Sequence, residues 1–225
     1  AGPEILGKTL GVIGLGAIGA RVADAALGLG MNIVGYDPYL SVHAALALDR
    51  RVNVVNNLDE LLKVSDYITI HVPLNDSTRN TIDAEAISKM KGSVRIINLA
   101  RNGLVDEQAL LPALSSGRVA AYVTDFPDAQ IANAPGVIAL PHLGASTPES
   151  EENCAVMAAH QLQDYLENGN ITNSVNLPDV SMERSGDARI CVIHRNIPNI
   201  LAQVTSIVSG EGINVENLAN KSRKE

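Results

Sequence analysis

Two side chains of this 225-residue chain are placed where chemistry could be done: Arg101, in Ile97-Asn98-Leu99-Ala100-Arg101-Asn102-Gly103, and His142, in Pro141-His142-Leu143-Gly144. Each closely follows a short apolar run, Val94–Asn98 and Val137–Ala139 respectively. A guanidinium grips a carboxylate through two parallel N–H donors and so fixes its orientation. An imidazole titrates near neutral pH and can take a hydroxyl proton while a hydride leaves the same carbon. That pair would suit a small 2-hydroxy acid, given a hydride acceptor nearby. A site for one is spelled out upstream. Gly14-Leu15-Gly16-Ala17-Ile18-Gly19 has the G-x-G-x-x-G spacing, leaves the apolar run at Thr9 and opens a helical run. Gly14 permits the tight turn, Gly16 lets backbone approach a pyrophosphate, and Gly19 lets helix and strand pack closely. The next apolar run ends at Tyr36-Asp37, near the ~20-residue spacing of a ribose-binding acid. That carboxylate accepts from a 2′-hydroxyl and repels a 2′-phosphate, and Pro38-Tyr39 offers no Arg to pair with one. NAD, not NADP, is the expected cofactor.

The elements that must position these groups are legible as alternating runs. The pattern predicts strands over Thr9–Gly14, Met31–Tyr36, Asn53–Val55, Tyr67–Val72, Val94–Asn98, Val119–Thr124 and Val137–Ala139, near-continuously apolar as doubly covered strands are. Helices are predicted over Ile18–Leu29, Leu58–Val64, Ala84–Met90, Glu107–Ser115 and Pro148–Asn168. Asn57 with Glu60 resembles a capping box, Asp106 and Thr147 are further N-caps, and Gly169 is a stop. Such alternation implies an α/β fold: a doubly wound parallel sheet of Rossmann type. From residue 170 to residue 187 the order gives way to Asn, Ser and Pro, which reads as a linker. Beyond it, a strand over Ala188–His194, a helix over Pro198–Ser209 and a strand over Ile213–Leu218 begin a second, unfinished domain.

Composition excludes several classes. A net charge of −8 disfavours a nucleic-acid partner, which needs a basic face. No apolar stretch reaches the roughly 18 residues of a membrane span. The first residues lack the regions of a secretion signal. No His, Cys, Asp and Glu cluster has metal-ligand spacing. Cys154 and Cys191 are expected to be buried, reduced thiols, consistent with a cytoplasmic setting. His71 is expected in the core or the cofactor wall, and Ser146-Thr147 reads as a cap, not a nucleophile.

At this point a resemblance is plain. Leu6–Gly19 (LGKTLGVIGLGAIG), His71–Leu74 (HVPL), Ile97–Gly103 (INLARNG) and Pro141–Thr147 (PHLGAST) resemble the D-2-hydroxyacid dehydrogenases. Asn173–Pro178 (NSVNLP), leading into His194-Arg195-Asn196-Ile197-Pro198, resembles the phosphoglycerate dehydrogenase branch of that family, whose chains end in a ferredoxin-like ACT domain that binds serine. The resemblance implies Arg101 as the substrate-binding Arg and His142 as the catalytic His. It implies that Ala17, Ile18, Asp37, Val72, Pro73, Thr78 and Leu99–Arg101, Ala100 included, line NAD, with Tyr36, Pro38, His142 and Gly144 beside them. It implies His194 and Asn196 as effector ligands for serine, and assembly as a homo-oligomer, dimer or tetramer. The activity implied is NAD-dependent oxidation of 3-phosphoglycerate in serine biosynthesis. Sister activities on glyoxylate, hydroxypyruvate or D-lactate and a non-catalytic NAD sensor are the alternatives.

Three positions depart from the family pattern. Ala129 stands where a Glu that orients the His is usual, in Phe126-Pro127-Asp128-Ala129, with Asp128 as the nearest substitute. Thr124-Asp125 replaces Asp-Val, so Asp125 is expected to take the place near the nicotinamide amide. Asn199 stands where the ACT motif has Gly. The domain organisation expected is residues 1–147 for NAD binding, 148–169 as a helix returning to a substrate domain, 170–187 as linker and 188–225 as an incomplete ACT-like part. The chain is expected to be a piece of a longer protein.

Overall fold

The computed structural model describes residues 2–222. The chain divides into two compact units, one ending at His142 and the other beginning at Leu143. In the first unit, strands β1 (Thr9–Ile13), β2 (Asn32–Tyr36), β3 (Val52–Val55), β4 (Tyr67–Ile70), β5 (Val94–Asn98), β6 (Val119–Thr124) and β7 (Val137–Ala139) form one parallel sheet, ordered β3-β2-β1-β4-β5-β6-β7. Helices α1 (Ala17–Gly28), α2 (Val42–Ala47), α3 (Leu58–Val64), α4 (Ala84–Lys89) and α5 (Glu107–Ser115) make the crossovers that parallel pairing demands. Strand order reverses direction between β1 and β4, which is the topological switch point of a doubly wound sheet.

The apolar runs of the strands are explained by the two cores they feed. Leu10, Val12 and Ile33 pack with Ala23, Ala26 and Leu27 of α1 on one side of the sheet. Their neighbours Ile13 and Val34, with Ile68, Ile70 and Ile96, pack with Leu61, Leu62, Ile87 and Leu110 in the other core. Successive residues point to opposite faces, so a strand covered twice must be apolar at every position. Fully burying one such Ile or Leu contributes about 1.5–3 kcal/mol.

Helix starts follow local chemistry. Asp83 Oδ1 accepts from the Ala86 amide at 2.8 Å, and Asp106 Oδ1 from the Gln108 amide at 3.0 Å. Asn57 Oδ1 takes the Asp59 amide at 2.8 Å, so the expected reciprocal box with Glu60 is replaced by a single cap one residue earlier. Strand β1 ends one residue sooner than predicted, because Gly14 turns away with φ of 91°. Helix α2 is six residues long, and Ser41 caps it.

In the second unit, α6 (Pro148–Asn168) starts at the Thr147 cap and ends at Gly169 in the left-handed conformation, and none of its residues is buried. Helix α7 (Ile200–Gly210) follows. The linker expected over residues 170–187 is locally folded. Ile171 and Val180 form an antiparallel bridge, and the Arg189 guanidinium donates to the carbonyls of Asn168, Met182 and Glu183. The strands expected over Ala188–His194 and Ile213–Leu218 are not formed. A strand exists only through a ladder to a neighbour, and neither run has one among the described residues. Instead they flank α7 around a cavity of about 500 Å³ whose walls include Ile190, Val192, Val204, Val208 and Val215. Cys154 and Cys191 are free and exposed, which corrects the expectation of burial. The first lies on the unburied α6 and the second on the unladdered run. No helix among the described residues is long and apolar enough to cross a membrane.

Candidate active site

In a parallel sheet every strand delivers its C-terminal residue to the same edge, and the candidate residues of the first unit gather there. Gly14 follows β1, Asp37 follows β2, His71-Val72-Pro73 follows β4, Leu99-Ala100-Arg101 follows β5, Asp125 follows β6, and His142 lies three residues past β7. Gly144 belongs to the second unit.

The turn after β1 has the shape a pyrophosphate needs. At Gly14 a Cβ would lie 2.6 Å from the His71 carbonyl oxygen, and at Gly19 it would land on the Gly14 carbonyl. Gly16 has nothing within 4 Å of its missing side chain, so the backbone there is bare to a ligand. The next feature is electrostatic. Helices α2 to α5 each begin under a side-chain cap. Helix α1 begins at Gly16 with no side-chain cap and no acid in its first turn. Its opening amides and the positive end of its dipole are left for an external anion. Ala17 and Ile18 are exposed beside this opening, Ile18 at 67%.

Asp37 is fixed at the far side of the turn. Its Oδ2 accepts from the Leu15 amide at 3.0 Å and its Oδ1 from the Tyr39 amide at 2.9 Å. The Gly14 amide donates to the Tyr36 carbonyl at 2.8 Å, tying the turn to β2. On the other flank, the Thr78 hydroxyl donates to the Pro73 carbonyl at 2.6 Å and accepts from the Asn75 amide, bracing the loop after Val72. His71 is half-buried, bonded through Nε2 to Thr69 Oγ1 at 2.9 Å, and burial holds its pKa below the ordinary value. These residues fit a dinucleotide: a bare anion seat, a carboxylate for the ribose and apolar walls.

Arg101 is exposed on the loop after β5. The loop is held from beneath by Asn98, which is 1% exposed. Its Nδ2 donates to the Arg101 carbonyl at 2.9 Å and to Tyr122 Oη at 3.3 Å, and its Oδ1 accepts from the Ala100 amide at 3.2 Å. Burial raises the pKa of Tyr122, keeping it a neutral partner. Sequence reasoning missed Asn98 and Tyr122. They lie on separate strands, and only the β5–β6 pairing brings them together.

The imidazole of His142 is held through Nδ1 by Asp125 Oδ2 at 2.8 Å, and the Phe126 ring lies against it at 4.4 Å between centroids. This corrects the expectation that Asp128 stands in for the missing Glu. The Asp128 carboxylate accepts from the Gln130 and Ile131 amides at 2.8 Å each, an Asx turn that draws it into its own backbone. Those amides, the Ile131 one first, and the neighbouring Glu107 keep Asp128 below the ordinary carboxylate range. Glu107, partly buried and beside Asp128, is pushed up to about 7. Among the described residues no group of three or more His, Cys, Asp or Glu could hold a metal ion.

A doubly wound sheet with an uncapped glycine turn at its switch point, and an Arg and a His further along the same edge, defines a nicotinamide-dinucleotide domain. The chain belongs to the D-isomer specific 2-hydroxyacid dehydrogenase, NAD binding domain family, whose model matches residues 1–144. It is 40% identical to a D-3-phosphoglycerate dehydrogenase of Methanocaldococcus jannaschii, over 90% of this chain and 40% of that protein. It is 36% identical to the enzyme of that name from Escherichia coli, over 94% of this chain and 53% of that one. Among solved structures, a glyoxylate reductase from Paecilomyes thermophila superposes with a TM-score of 0.69 at 35% identity, covering 78% of this chain and 54% of that one. The apo D-lactate dehydrogenase of Escherichia coli gives 0.64 at 32%, covering 75% and 53%. The chain thus spans about half the length, or less, of the relatives it matches.

Proposed function

We propose that the protein carrying this chain oxidises 3-phosphoglycerate to 3-phosphohydroxypyruvate with NAD, an early step of serine biosynthesis. One observation carries the chemistry: Arg101, His142 and the uncapped start of α1 follow strands of one parallel sheet at one edge. The phosphorylated substrate is supported by the names of the relatives in sequence. NAD bound at the glycine turn supplies the hydride acceptor. Arg101 holds the substrate carboxylate, and Nε2 of His142 takes the hydroxyl proton as C2 becomes a carbonyl carbon. Asp37 selects the unphosphorylated ribose.

A second reading, a glyoxylate reductase or D-lactate dehydrogenase with the same Arg and His, is favoured by the solved neighbours. The assay that separates them follows absorbance at 340 nm, with 3-phosphoglycerate and NAD in one cuvette and glyoxylate, hydroxypyruvate or pyruvate with NADH in others. We expect the protein at its natural length to prefer 3-phosphoglycerate and phosphohydroxypyruvate. Preference for an unphosphorylated acid overturns the first reading. His142→Ala should lower kcat far more than NAD affinity, and unchanged turnover removes His142 from the mechanism.

The finer expectations belong to the same proposal. Residues 1–147 bind NAD, 148–169 return to a substrate domain, 170–187 link, and 188–225 contribute to a serine-binding ACT-like part through His194 and Asn196. The enzyme acts as a homo-oligomer in the cytoplasm, a setting in keeping with its two free thiols.

A further inference from the structure

We propose that Asp125 is the positioning residue of His142: its carboxylate fixes the tautomer and orientation of the imidazole, the task that position 129 cannot perform with an Ala. The proposal rests on the reading of His142 as proton acceptor.

The electrostatic observations come first. Asp125 Oδ2 lies 2.8 Å from His142 Nδ1, a charge-assisted distance, while the Asp125 side chain is only 9% exposed and that of His142 55%. The other oxygen, Oδ1, is buried without a hydrogen-bond partner among the described residues. A buried carboxylate with one oxygen unanswered depends on the donor it does have. Turning His142 away, or moving its proton to Nε2, would leave the charge with nothing. The pair is therefore self-locking: Nδ1 keeps the proton and Nε2 stays bare.

The second group of observations is geometric. Asp125 is the first residue past β6, and the Phe126 amide donates to Thr124 Oγ1 at 3.1 Å, so the backbone on both sides of the carboxylate is pinned to a buried strand end. The Phe126 ring, tilted 42° to the imidazole, closes off rotation from its side. Consecutive residues of one loop thus hold the ring by edge and by face. Asp128 is committed to its own turn, as described above.

In this arrangement Nε2 would take the substrate hydroxyl proton, and NAD, when bound at the glycine turn, would supply the acceptor for the hydride leaving the same carbon. The resulting imidazolium keeps Nδ1–H directed at Asp125, whose negative charge offsets it without taking the proton. Compared with a Glu at 129, the acid stands four positions nearer the N-terminus, just past the strand end.

The test combines spectroscopy with turnover. In the native chain, the ¹⁵N shifts of the His142 ring should show neutral imidazole protonated at Nδ1. The Nε2–H tautomer, which free imidazole favours, overturns the proposal without any mutation. In the protein at its natural length, Asp125→Asn should lower kcat by about 10²- to 10⁴-fold, the scale of a positioned general acid or base. NAD affinity should hold, and the ring shifts should move toward the other tautomer. If Asp125→Asn leaves kcat and ring shifts unchanged while His142→Ala abolishes turnover, Asp125 is not the positioning residue and the proposed function stands. Loss of turnover on Asp128→Asn instead of Asp125→Asn also overturns it. If His142→Ala itself turns over normally, the underlying reading fails.

Discussion

At the scale of single residues, the cofactor turn and the proton-handling pair differ in how they are encoded. The turn is local: six consecutive residues with their spacing state the need for bare backbone, and the structure shows the cause in the collision a Cβ at Gly19 would make with the Gly14 carbonyl. Gly19→Ala should therefore part α1 from β1 and abolish NAD binding, measured by calorimetry against a circular dichroism check that the fold persists. Asp37→Ala is milder. Its carboxylate answers the Leu15 and Tyr39 amides, so the turn loosens, and the ratio of NAD to NADP affinity should fall by about tenfold or more, a loss of roughly 1.4 kcal/mol in discrimination. The pair of Asp125 and His142 was out of reach of sequence reasoning. Its members are 17 positions apart and meet only because β6 and β7 lie side by side. An acid beside the expected position, Asp128, is the natural guess until its competition with the Gln130 and Ile131 amides is seen.

At the scale of elements, the strands of the sheet were legible from their apolar runs, and most of the helices beside it from a cap or a helical period. Val94–Asn98, Val119–Thr124, Leu58–Val64 and Glu107–Ser115 form as the residues indicate. The runs at Ala188–His194 and Ile213–Leu218 carry strand-like composition yet form no ladder, since composition states a preference and a neighbour realises it. Asn199 shows the reverse case. It adopts φ of 68° before α7, a left-handed conformation that Gly takes freely and Asn tolerates better than other side chains, which accounts for its presence at a Gly position. Two predictions belong here. Asn98→Ala removes three bonds beneath the Arg101 loop, and should raise KM for the acid substrate more than KM for NAD, with stability lower by about 1–3 kcal/mol. Glu107 binds its proton more tightly in the fold than its ordinary value of 4.5, through burial first and Asp128 second. The protonated form thus favours the folded state. Its contribution is complete below that value and disappears as pH climbs through about 7. The urea midpoint should drop between about pH 5 and pH 8, and Glu107→Gln should shrink that drop.

At the scale of the whole chain, burial is unevenly shared. Among the described residues, every fully buried large apolar side chain lies at or before Ile131, and neither α6 nor α7 contains a buried residue. Hydrogen exchange on the 225-residue chain should find the amides of β1, β4 and β5 opening only with global unfolding, and those of α6 and α7 exchanging much sooner. Equal protection in both units would contradict this.

The uncapped start of α1 also bears on the bench. In a molecule with a formal charge of −8, the opening of α1 is a spot built to welcome a dianion. Orthophosphate and sulfate are small enough to sit there, so buffers made with them should raise the apparent KM for NAD while leaving kcat alone. A zwitterionic amine buffer would report the affinity undistorted.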